Sequence, residues 1–179
     1  MKTTNKLLTL ILIFSSLFSL QSQNKFSKRK IENLKEEVSQ LVEDDKKMTQ
    51  VMIDKVFSFG ELGFQEFETS KYLGKILEEN GFDVEYQISD IPTSWLATWS
   101  NGEGGPTIAL GSDFDGVPST SQYPGVAYEK PVVEGAPGHG EGHNIGLPIV
   151  ITSAIAIKKI MIENNINGKL VLWPGVAEE

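Results

Sequence analysis

The chain has 179 residues, with 16 Lys and Arg against 24 Asp and Glu, a formal net charge of −8 and no cysteine. A surface of that sign repels nucleic acid and anionic membranes, and the missing thiols exclude disulfides and thiolate metal ligands. Stability must then come from a packed core or from a bound metal, and the length suffices for one domain with such a core.

Lys2 and Lys6 precede an apolar run from Leu7 to Leu20 that is broken only by small hydroxyl residues. A basic start before a run too short to cross a bilayer of ~30 Å comfortably reads as a signal peptide over residues 1–23. The rest, 24–179, is expected to be exported, periplasmic or secreted, with no stable membrane association after cleavage. No cysteine follows the run, so no lipid anchor is expected.

Residues 25–59 read as helix, with Ser27 as N-cap, Ile31, Leu34, Val38 and Leu41 at helical spacing and a break at Asp44-Asp45. Met48, Met52 and Val56 continue the apolar stripe as core residues. A turn at 60–63 leads to a helix over 66–80, stopped by Gly81. Val84, Tyr86 and Ile88 alternate as on a half-buried strand, and Trp95 to Trp99 is a second. The Asn101–Pro106 turn before a short strand at Thr107–Leu110 predicts a hairpin.

Residues 116–146 hold glycines and prolines without a period, and a stretch this long in a compact domain is expected to be functional. Glu103, Glu129 and Glu134 read as solvated loop charges. Pro148 opens a helix over 149–161, Asn164-Asn165 and Gly168 end it, Lys169–Trp173 is a strand and Pro174-Gly175 a turn. Helices alternating with strands predict an α/β fold, a mixed sheet flanked by helices.

Three clusters carry chemistry: Asp113-Phe-Asp115 after one strand, Glu141-Gly-His143 in the glycine-rich stretch, and Glu178-Glu179 after the last strand. Both histidines, His139 and His143, lie within Gly138–Asn144. Sites in α/β sheets form beyond the carboxyl ends of strands, so the three clusters are expected to meet there. Imidazole and carboxylate without thiolate suit Zn²⁺ or Mn²⁺, as one ion or two. Of two adjacent glutamates, one can bind metal while the other serves as general base, and Asp115 can hold an imidazole in one tautomer.

Four segments in order then carry a likeness. Glu61-Leu-Gly-Phe-Gln-Glu-Phe-Glu-Thr-Ser70, Ala109–Pro118, Pro137–Asn144 and Gly168–Glu179 resemble the metal-dependent amidohydrolase and carboxypeptidase superfamily. The branch is that of aminobenzoyl-glutamate hydrolase and the hippurate and auxin-conjugate amidohydrolases. The resemblance implies a zinc-exopeptidase-like catalytic domain and hydrolysis of an amide bond in an N-acyl amino acid, an aminobenzoyl-glutamate-like compound or a small peptide. It implies Glu178 as catalytic base, with Asp115 matching another catalytic aspartate. Glu141, His143 and Glu179 fall on metal ligands, Glu141 standing where this branch usually has cysteine. Asp113 and His139 fall beside the site. Members of the superfamily are longer, with further ligands and a dimerisation domain. Residues 24–179 are thus expected to be the N-terminal part of a truncated catalytic domain, and full-length relatives to be homodimers. A second reading is an inactive, exported metal-binding or interaction remnant of such an enzyme.

Overall fold

The computed structural model describes residues 26–179, so the expected signal peptide lies outside the described residues. These residues fall into two compact units that divide between Lys35 and Glu36. The described part of the first carries the start of helix α1, Lys28–Asp44, where Ser27 Oγ accepts the Lys30 N–H at 3.2 Å as its cap.

The second unit takes up the end of α1, followed by α2 (Lys46–Phe59) and α3 (Phe67–Glu79). The break falls at Asp45, between the two helices. Gly60 ends α2 in the left-handed conformation, at φ +53°. Glu61 reaches forward to α3, where its two carboxylate oxygens accept the N–H groups of Glu68 and Thr69, each at 2.9 Å. An acidic side chain suits this end of a helix, whose first N–H groups lack partners and point outward.

Strands β1 (Asp83–Tyr86), β2 (Trp95–Asn101), β3 (Thr107–Asp113) and β4 (Gly168–Gly175) form one mixed sheet in the order β1-β2-β4-β3. The expected hairpin across Asn101–Pro106 does not form. Strand β4 lies between the two, antiparallel to β2 and parallel to β3. The apolar strand Leu170-Val-Leu-Trp173 takes an interior position, while β3, with Ile108 47% exposed, stays at the edge. The antiparallel neighbours β1 and β2 are joined through a 3-10 turn at Ile88–Asp90, so the alternation expected to run to Ile88 ends at Tyr86.

Helix α4, His143–Glu163, connects β3 to β4 and begins five residues before Pro148, which therefore lies inside the helix and does not open it. The ring falls within the second turn, where it removes the ladder bond that residue 148 would otherwise donate to the Asn144 carbonyl. Pro174 and Gly175 likewise continue β4, paired with Ser112 and Asp113, instead of turning. The last β2 partner is Leu172, so the missing N–H of Pro174 lies past that pairing.

α4 is long and apolar enough to cross a membrane, but Leu147, Ile151 and Ala154 belong to the buried core, and the helix packs on α2 and β3. Thr49 on α2 and Thr152 on α4 share a hydrogen bond at 2.8 Å. Met52, Val56, Leu73, Leu77, Trp95, Phe114, Leu170 and Leu172 complete the same core. Leu172 is fully buried; Leu172→Ala should destabilise the chain by about 2–5 kcal/mol, read from urea unfolding midpoints.

Candidate metal centre

β3 and β4 run side by side in the same direction, with Asp113 opposite Gly175, so the residues after each strand emerge at one sheet edge. Phe114, fully buried, pins the chain there and directs Asp115 inward, where it is 1% exposed. The long segment 116–142 has no helix or strand. An isolated bridge between Val117 and Gly138 closes its base, with N–H···O distances of 2.8 and 3.1 Å, and returns the chain to the edge. α4 then starts at His143. Its first turn lies so close to β3 that a Cβ on Gly146 would stand 1.9 Å from Ser112 Oγ.

His143 is the centre of the arrangement. Its Nδ1 lies 3.2 Å from Asp115 Oδ1, whose side chain is fully buried. An ionised carboxylate only accepts, so Nδ1 donates to it, and in the neutral ring the lone pair belongs to Nε2. That lone-pair nitrogen lies 3.6 Å from Glu141 Oε2 and 4.0 Å from Glu178 Oε2. One donor atom from each of Glu141, His143, Glu178 and Glu179 lies within 4.8 Å of the others. Among the described residues no Lys or Arg pairs with these three carboxylates. Loss of water around the otherwise exposed Glu179, and the charges of Glu141, Glu178 and Asp115, push its carboxyl above the usual range, with His143 opposing.

The donor set fits a divalent cation. Three carboxylates crowd one imidazole lone pair without a counter-charge, and a buried carboxylate holds the far side of the ring as metal-ligating histidines require. Oxygen and nitrogen donors suit Zn²⁺ or Mn²⁺ alike.

Two other predicted residues stand outside the cluster. His139 is half-buried and donates from Nε2 to the Val56 carbonyl at 3.1 Å, while its Nδ1 has no partner among the described residues. Burial pushes its imidazole down, towards the neutral form. Asp113 turns its carboxylate over Gly175, where a Cβ would be 1.8 Å from Oδ1.

The support beneath Glu178 and Glu179 is not legible in the sequence. Asp115 Oδ2 accepts the Glu179 N–H at 3.1 Å, and the fully buried Glu66 accepts the Ala177 N–H at 3.1 Å. Gly63 backs Ala177 so closely that a Cβ there would lie 2.7 Å from the Ala177 Cβ. Glu61 and Gly63 belong to the expected turn and Glu66 to the start of the expected helix, and nothing local marks the Glu66 carboxylate as buried. A cavity of about 670 Å³ opens beside Gly140, one residue from Glu141. Thr120, Gln122, Tyr128, Glu129 and Glu134 line it, the last two exposed as expected.

No protein-family model matches the chain. It is 30% identical over 142 residues to one of the subunits of p-aminobenzoyl-glutamate hydrolase from Escherichia coli, covering 79% of this chain and 29% of that protein. The chain is also similar to a Bacillus subtilis protein described as an amidohydrolase, at 30% identity over 131 residues. Its fold matches a Bacillus subtilis protein described as a dinuclear metal-binding peptidase of the M20 family, at a TM-score of 0.59 and 25% identity over 75% of this chain and 36% of that one. A protein of methicillin-resistant Staphylococcus aureus, described as an aminohydrolase, shares the fold at a TM-score of 0.67 and 22% identity, over 80% and 35% of the two chains. The chain spans about 29% of the length of the curated relatives it matches.

Proposed function

We propose that the chain carries a metal-dependent amide-hydrolase site for an N-acyl amino acid, an aminobenzoyl-glutamate-like compound or a small peptide. The observation that carries this reading is the Asp115–His143 hydrogen bond, which turns the Nε2 lone pair towards Glu141, Glu178 and Glu179. Glu141, His143 and Glu179 would hold the cation, Zn²⁺ or Mn²⁺. A bound divalent cation supplies Lewis acidity and lowers the pKa of water from 15.7 to about 7.

Glu178 does the proton work. Its carboxylate takes a proton from the attacking water and passes it to the amide nitrogen, so the C–N bond breaks with a neutral amine leaving. Asp115 keeps the imidazole from turning and fixes the neutral tautomer in which Nε2 is the ligand atom. The cavity beside Gly140 has the place and size for a substrate side group. The basic residues and apolar run at the N-terminus support export before the site is used.

Zn²⁺, Mn²⁺ and Co²⁺ should each bind the purified chain and raise its melting temperature, by about 2.7 kcal/mol of stability at a hundred times Kd. The loaded chain should release amine from N-acetyl amino acids or aminobenzoyl-glutamate. Calorimetry showing no cation binding would remove the metal, and with it the mechanism.

A further inference from the structure

We infer that Glu66 is a positioning residue for Glu178 and Glu179: its buried carboxylate holds the backbone kink at Ala177 from which both side chains project. Ala177 has φ +54°, a left-handed conformation that residues with a Cβ seldom adopt. Such a kink persists only where its surroundings over-determine it. Here they do. Glu66 Oε1 accepts the Ala177 N–H, Glu66 Oε2 accepts the Thr93 hydroxyl at 2.7 Å, and Gly63 leaves room for the Ala177 methyl, which a Cβ at residue 63 would approach to 2.7 Å. Two residues on, Asp115 holds the Glu179 N–H. The backbone of Glu178 is therefore clamped on both sides by carboxylates that are themselves 0% and 1% exposed.

The residue type supports this role. A carboxylate buried without a cation is destabilising, and an apolar side chain would fill the same space more favourably. Among the described residues, the hydrogen-bond partners of the Glu66 carboxylate are a hydroxyl and one backbone N–H, with the start of α3 immediately after it. It does not belong to the four-residue donor cluster, so it acts through the backbone. Released from Glu66, Ala177 would relax towards extended backbone. Successive side chains of an extended chain point to opposite faces, so Glu178 and Glu179 would no longer both face His143.

The effect on the cation rests on the metal-centre reading, whereas the clamp itself does not, and the test separates them. Glu66→Ala, Glu66→Gln and Thr93→Val are made in the 179-residue chain. Ala177 amide exchange is followed by NMR without metal, and Co²⁺ binding by its visible absorption. Glu66→Ala should speed Ala177 exchange, weaken Co²⁺ by about 10–100-fold and alter the absorption bands, the range seen when partners of metal ligands are lost. Glu66→Gln keeps an acceptor oxygen and should recover most of both. A folded Glu66→Ala chain with wild-type exchange and Co²⁺ affinity would overturn the inference. If Glu66→Ala does not fold, Thr93→Val decides: faster exchange at Ala177 supports the clamp, and unchanged exchange overturns it. A wild-type chain that binds no Co²⁺ would sink the metal reading, and Ala177 exchange would still decide the clamp.

Discussion

Glu178→Gln is expected to lower the turnover of amide hydrolysis by about 10²–10⁴-fold while leaving cation affinity nearly unchanged, the range typical of a lost general base. Glutamine keeps the shape of the side chain and can still orient a water. It cannot take the proton that the leaving nitrogen needs. Glu178 is 53% exposed and its Oε2 lies 4.0 Å from His143 Nε2, so it stands at the cluster with freedom to move between water and substrate. The measurement is single-turnover amine release beside a Co²⁺ titration of the same variant. Turnover within tenfold of wild type would show that another group is the base. Equal loss of turnover and of Co²⁺ binding would make Glu178 a ligand.

Asp115→Asn should weaken cation binding by about 10–100-fold and destabilise the metal-free chain by about 1–3 kcal/mol. The reason lies in donor and acceptor counts. Asp115 accepts two hydrogen bonds, one per oxygen, from His143 Nδ1 and from the Glu179 backbone. An asparagine has one acceptor oxygen and one NH₂ group, so either orientation sets a donor against a donor in a buried place. One orientation frees the imidazole to turn or change tautomer. The other loosens Glu179. Calorimetric titration and urea unfolding read the two effects separately, and wild-type values in both would remove Asp115 from the support of the site.

Much of the local structure was legible. Ser27, the Asp44-Asp45 break, Gly60 and Gly81 punctuate the helices because caps and left-handed residues act over three or four positions. The strand at Lys169–Trp173 showed in its apolar run. Pro148 misled because a proline at the start of a helical pattern looks the same whether it sits at the first position or the sixth. The early first turn of α4 packs Gly146 on Ser112, a contact between residues far apart in sequence. The expected hairpin failed for a related reason. A turn between two strands does not forbid a third from entering between them, and only the sheet's pairing shows that β4 does so.

Which groups are available follows from the order of residues alone: two histidines, no thiol, and acidic pairs at the ends of strands. These limit the chemistry to nitrogen and oxygen donors, because donor type belongs to the side chain and needs no fold. Which of them meet depends on folding. Parallel pairing of β3 and β4 brings Asp115 and Glu178-Glu179 to one edge, and α4 delivers His143 there, while His139 turns instead to Val56. Folding also sets Glu66 beneath Ala177, across 111 positions of chain. A buried carboxylate and an exposed one are the same letter in sequence. What separates them is the set of distant N–H and O–H groups that folding brings within reach.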